Sequence, residues 1–164
     1  MDWVSRVGSS SIGHSSDLSG HFGEHLTIDG YQCDRDKLDD PSLVRRCLAE
    51  LPAKLKMKIL SVPEVYFAKG NELKDPGGWS GYVIIEESHI SIHTFPFFQF
   101  VSIDVYTCKN GMDNKYIENF FKNAYEIRSM EKNFIIRGRH FAHLAERAIP
   151  AAETTETQKW KPPR

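Results

Sequence analysis

The segment EESHISIHTFPFF, residues 86–98, sets a serine behind two carboxylates and follows it with two histidines four residues apart. It could be a metal site, an ordinary core strand, or the seat of a less common chemistry. The metal reading of His89 and His93 depends on the element that carries them. On a helix, residues four apart share a face and can both reach one zinc ion. On a strand they share a face but lie roughly 13 Å apart, because each residue advances about 3.3 Å. Ile90, Ile92 and Thr94 favour the strand, so a shared metal is not expected. Taken alone, such a segment reads by default as a strand with polar residues on its wetter face.

The elements that would position these residues can be read from apolar periodicity. HLTIDGYQ (25–32) alternates like a half-buried strand, and DDPSLVRRCLAELPAKL (39–55) opens a helix near Pro41, with Leu43, Val44, Cys47, Leu48 and Leu51 along one stripe. KMKILSVPEVYFA (56–68) and SGYVIIEESHISIHTF (80–95) are two strand regions either side of a loop that contains Asp-Pro-Gly-Gly. FVSIDVYTC (100–108) alternates again. Tyr116, Ile117, Phe120, Phe121 and Tyr125 then mark a second helix, and NFIIRGRHF (133–141) closes as a strand. This order predicts an α+β two-layer sandwich, a mainly antiparallel sheet with two helices on one face. The opposite face would be left to a site or to a second subunit.

Bulk properties narrow the partners. In 164 residues, 21 basic side chains balance 22 acidic ones for a net charge of −1, so no global field recruits nucleic acid or an anionic membrane. No apolar run approaches the roughly 20 residues that span a bilayer, and the first residues lack the apolar core of a signal peptide, so a cytoplasmic protein is expected. Residues 1–22 and 150–164 read as flexible tails around a domain at 23–149. Cys33, Cys47 and Cys108 are odd in number and widely spaced, which argues for free thiols.

From Ser80 to Cys108 the chain resembles the S-adenosylmethionine decarboxylase family of self-processing pyruvoyl enzymes, in its short prokaryotic form. That family carries Glu-Ser-His-(Leu/Ile)-(Ser/Thr)-Ile-His-Thr-Trp-Pro-Glu and then an alternating strand ending in Phe-Thr-Cys; here stand ESHISIHTFPF and VSIDVYTC. The separations agree: from Ser88 it is five residues on to His93, twenty on to Cys108 and eight back to Ser80. Weaker similarity continues at Gly23-Glu24-His25-Leu26 and Cys33-Asp34.

Decarboxylating an α-amino acid needs an electron-accepting carbonyl that forms a Schiff base with the amine. No pyridoxal-phosphate lysine motif is evident. The resemblance implies that the carbonyl is a pyruvoyl group made from Ser88, whose hydroxyl attacks the Glu87 carbonyl and so leads to a cut between Glu87 and Ser88. It implies a processing role for Ser80 as support and for His93 in proton transfer, and it makes Cys108 the general acid. A free thiol ordinarily keeps its proton near neutral pH and can donate it. Cys33 and Cys47 read instead as small buried hydrophobes. The family's short members also imply a homodimer with sites at or near the interface, and a small amino-acid-type substrate whose product feeds spermidine synthesis as the aminopropyl donor.

Two departures fall on substrate recognition. Phe97 stands where the family has a glutamate for the ribose hydroxyls, and a phenyl ring cannot accept those hydrogen bonds. Phe95 replaces the usual tryptophan but keeps an aromatic face. The family's adenine-stacking aromatic has no counterpart here unless Trp79 or Phe67 serves. S-adenosylmethionine is the first substrate implied; arginine or ornithine, which some members use, and a non-catalytic homologue remain as alternatives.

Overall fold

The computed structural model describes residues 21–71 and 75–141. The tails expected at 1–22 and 150–164 fall outside these, save His21 and Phe22, as do residues 142–149 of the expected domain. Among the described residues six strands are formed: β1 (Gly23–Tyr31), β2 (Glu64–Lys69), β3 (Gly77–Ile85), β4 (Ser88–Phe95), β5 (Phe100–Thr107) and β6 (Ser129–Arg137). They pair antiparallel throughout, in the order β2-β3-β4-β5-β1-β6. Three helices accompany them among the described residues: α1 (Arg35–Leu38), α2 (Pro41–Lys54) and α3 (Asn114–Tyr125). The α+β sandwich predicted from periodicity is the observed architecture, with α1 an added single turn.

Each helix begins at an aspartate. The Asp34, Asp40 and Asp113 side chains accept from the backbone N–H groups of Lys37, Ser42 and Tyr116, which satisfies donors the first turn would leave unpaired. Pro41 follows Asp40 at the first helical position, where its missing N–H costs nothing. Val44, Cys47, Leu48 and Leu51 of α2 and Ile117, Phe121 and Tyr125 of α3 are buried. They close over Leu26, Ile28, Val83, Ile85, Ile90, Ile92, Ile103 and Val105 from the sheet. Each such side chain contributes about 1.5–3 kcal/mol through burial. At Gly81 an added Cβ would meet Leu48 and Val44 side chains at 2.9 Å, so the bare backbone lets α2 sit close on β3.

Strand alternation sends the other set of residues to the side without helices. On β3 these include Ser80, Tyr82 and Ile84; His89, Ser91, His93 and Phe95 follow on β4, and Ser102, Asp104 and Tyr106 on β5.

Two strand regions differ from the expected pattern. Of residues 56–68 only Glu64 onward is a strand, because Pro63 has no N–H for a ladder. Before it, Ile59 makes one bridge to Ile85, and Leu60 N–H donates to the Ile84 carbonyl. Residues 80–95 are two strands rather than one, folded back at Glu86-Glu87. Among the described residues no helix is long and apolar enough to cross a membrane.

Candidate active site

The β3–β4 hairpin closes with Ile85 opposite Ser88, and Ser88 is flanked on its other side by Thr107, the last residue of β5. That pairing brings Cys108 to the hairpin tip. Its backbone N–H donates to the Glu87 carbonyl at 2.9 Å, so the carbonyl next to Ser88 is already polarised by a fixed donor. Ser88 Oγ lies 3.2 Å from His89 Nδ1. Ser88 itself has φ 155°, a conformation that costs a residue with a Cβ about 1–3 kcal/mol and persists only where the surroundings enforce it. Here they do. The tip is tied by Glu86 N–H to the Lys58 carbonyl at 2.8 Å, and by the β5 ladder. Glu87 keeps one buried carboxylate oxygen, Oε2, without a hydrogen-bond partner.

Cys108 is exposed, while Cys33 and Cys47 are buried in the core. Burial pushes both core thiols up to about 11. The chain beyond Cys108 is held by Glu24 on β1, a buried carboxylate that accepts from Gly111 N–H at 3.0 Å and Met112 N–H at 2.8 Å. Burial alone would raise the Glu24 carboxyl, but those two amides and the His21 ring hold it below the usual carboxylate range. A cavity of about 300 Å³ opens beside this loop, lined by Lys56, Met57, Lys109, Asn110, Met112 and Tyr116.

Ser80 and His93 are paired separately. They are directly opposite across the β3–β4 ladder, with Ser80 Oγ 3.0 Å from His93 Nδ1. His93 lies five positions along the strand from Ser88, a Cα spacing of ~16 Å, so the dyad does not touch the serine of its own chain. Phe95 continues on the same face and stacks on Phe100 at 5.5 Å, which in turn meets Tyr31 at 5.2 Å. Phe97 occupies a short 3₁₀ turn, Pro96–Phe98, where it is 66% exposed with the Arg35 guanidinium 5.9 Å above its ring. Trp79 lies on the helix side of β3. Its Nε1–H donates to Asp39 at 3.0 Å and its ring meets Phe67 edge-on, so both of these aromatics are on the face opposite Phe95 and His93.

Of the residues singled out in the sequence, Ser88, Glu87 and Cys108 are thus brought together, and Ser80, His93 and Phe95 form a second group. A polar network on the helix-free face was not anticipated. Arg137 donates to His25 Nδ1 at 3.2 Å, His25 Nε2–H donates to Asp104 at 2.9 Å, and Ser91 donates to the other Asp104 oxygen at 3.4 Å. Arg137 also lies 4.8 Å over the Tyr106 ring. The polar half of the alternation in β1 and β5 signals that such residues share a face, but not which of them meet.

A family model described as S-adenosylmethionine decarboxylase matches residues 24–138, which includes both groups. The chain belongs to the S-adenosylmethionine decarboxylase family. A relative from Clostridium botulinum (strain Langeland), named S-adenosylmethionine decarboxylase proenzyme, is 34% identical over 119 residues, covering 73% of this chain and 97% of the relative. Another, S-adenosylmethionine decarboxylase proenzyme 2 of Halalkalibacterium halodurans, is 34% identical over 117 residues, 71% of this chain and 87% of its own. The crystal structure of the adenosylmethionine decarboxylase from Aquifex aeolicus superposes with a TM-score of 0.62 at 24% identity, covering 85% of this chain and 99% of that one, and so shares the fold.

Proposed function

We propose that this member of the S-adenosylmethionine decarboxylase family cuts itself between Glu87 and Ser88, and that the cleaved protein decarboxylates S-adenosylmethionine to give the aminopropyl donor for spermidine synthesis. The observation that carries the reading is the hairpin tip. A strained serine stands next to a carbonyl that accepts the Cys108 N–H at 2.9 Å. Attack of Ser88 Oγ on the Glu87 carbon converts the amide to an ester. Loss of the Ser88 α-proton then expels the Glu87 carboxylate and leaves a dehydroalanine, which water converts to a pyruvoyl end with release of ammonia. Relief of the backbone strain favours the forward direction.

The donor set suits that group. Once formed, the pyruvoyl carbonyl supplies the electron acceptor that decarboxylation of an amino acid requires. The exposed Cys108 thiol, one residue past the strand that flanks Ser88, is placed to return a proton to the substrate α-carbon. Ser80 and His93 complete the processing machinery, the imidazole as proton carrier and the hydroxyl as its hydrogen-bond partner at 3.0 Å. Because ~16 Å of strand separates them from the Ser88 of the same chain, the reading includes a homodimer in which each site takes Ser88 and Cys108 from one copy and Ser80 and His93 from the other. Tyr66, Tyr82 and Ile84, exposed on the helix-free face, are compatible with a second copy there.

The test has two parts. Electrophoresis under denaturing conditions and intact mass should show a cut after residue 87, with a pyruvoyl-blocked second chain. A single 164-residue species after long incubation would count against the whole reading. Release of labelled CO₂ should then be measured from carboxyl-labelled S-adenosylmethionine, arginine and ornithine in parallel. Phe97 offers no acceptor for a ribose hydroxyl, and an unpaired polar group costs about 1–3 kcal/mol. Phe97→Glu is therefore expected to bind S-adenosylmethionine tenfold or so more tightly. Turnover of arginine or ornithine alone would replace the substrate while leaving the processing chemistry in place.

A further inference from the structure

Two imidazoles lie along β4, and within one chain they have different partners. His93 is engaged with Ser80 across the β3–β4 ladder. His89 Nδ1 lies 3.2 Å from Ser88 Oγ, the hydroxyl that must lose its proton for the backbone to be cut. We infer that His89 is the general base of the first processing step, the conversion of the Glu87–Ser88 amide to an ester. This leaves His93 to act in the elimination that follows. The inference rests on the self-cleavage reading given above.

A serine hydroxyl is a weak nucleophile until an adjacent base accepts its proton. With the hydrogen of the His89 ring on Nε2, Nδ1 accepts from the Ser88 hydroxyl. As the bond from Oγ to the Glu87 carbon forms, the proton moves to Nδ1. As the carbon–nitrogen bond breaks, the same proton moves on to the Ser88 nitrogen, which becomes a free amine. The imidazole ends as it began. Proton and electron pairs balance without any co-reactant, and the negative charge that builds on the Glu87 oxygen falls on the Cys108 N–H.

The ring is also held in place. It meets Tyr106 of β5 edge-on at 5.7 Å, and Tyr106 is in turn fixed by His25 at 5.5 Å and by Arg137 at 4.8 Å. A base positioned this way typically accelerates its step by about 10²–10⁴.

The experiment follows precursor made by cell-free synthesis, using electrophoresis and intact mass with or without hydroxylamine, which cleaves an ester but spares the amide. His89→Ala should slow cutting ~100-fold or more and should leave a precursor that resists hydroxylamine. His93→Ala should instead accumulate a precursor that hydroxylamine splits after residue 87. His89→Asn keeps a polar side chain but cannot carry a proton, so it should remain as slow as His89→Ala; it also carries the test should His89→Ala fail to fold. Cutting at the wild-type rate in either His89 variant, recovery of the rate by His89→Asn, or a hydroxylamine-sensitive precursor in His89→Ala would overturn the inference. Absence of cutting in the wild-type chain would instead remove the self-cleavage reading beneath it.

Discussion

At the start of β4, Ser88 sits in strained backbone with an imidazole and an amide hydrogen against the bond beside it, whereas five residues further on Ser80 and His93 face each other on the helix-free side with no strained bond near. The first end is irregular and tied by the neighbouring strand; the second is regular ladder. A strand acts as a ruler. Side chains five apart on it cannot meet at one atom, however close they are in sequence. What looks like one compact motif is thus two separate groups within one chain, and the reaction proposed for them needs a second copy to close the distance.

The sharpest way to break that contrast is Ser88→Ala, which removes the nucleophile and should abolish cutting entirely; continued cutting, seen by electrophoresis, would point to a contaminating protease. Mixing the two ends across chains comes next. A differently tagged Ser88→Ala chain co-expressed with a His93→Ala chain should restore cutting of the latter in the mixed dimers alone, because only there does an intact Ser88 meet an intact His93. No recovery in purified mixed dimers would mean that each chain works by itself.

A chemical probe sharpens the first end alone. Iodoacetamide near pH 7 should modify Cys108 before the other two thiols, since Cys33 and Cys47 are buried and pushed up to about 11. Peptide mapping checks the order, and CO₂ release should fall in step with the Cys108 label while the extent of cutting stays unchanged. The smallest effect belongs to Glu24. Its carboxyl lies below the ordinary range in the folded chain, so its contribution is present above the unfolded value and is lost as the pH falls through the lowered one. Glu24→Gln can still accept one of the two amides but opposes the other with an NH₂ group. The loss should be about 1–2 kcal/mol near neutral pH, narrowing toward zero in acid, as denaturant titrations at several pH values would report.

Much of this was legible beforehand, for identifiable reasons. The stripe Val44, Cys47, Leu48 and Leu51 is buried where the helical period puts it, and the alternation of 100–107 survives residue for residue in β5. Both signals depend on one face meeting one core. The fold-back at Glu86-Glu87 was not legible, since neither residue is a turn former and the flanking apolar runs read as continuous. Nor was α1, a four-residue turn too short to show a period. At the site, Ser88 and Cys108 join because Thr107 pairs with Ser88, a matter of register that composition does not encode. The same holds for His25 and Asp104, which are 79 residues apart and meet only because β1 lies beside β5.

That position of β1 has a consequence for the two fragments that a cut after residue 87 would make. The first fragment would own β1, β2 and β3, and the second β4, β5 and β6, yet in the sheet β1 lies between β5 and β6. Neither piece would be a layer that could peel away. Separating them would tear the β3–β4 ladder and both ladders of β1 together. The severed protein would therefore be an interlaced assembly whose unfolding also separates its two fragments, and its melting temperature would rise more steeply with concentration than that of the uncut chain.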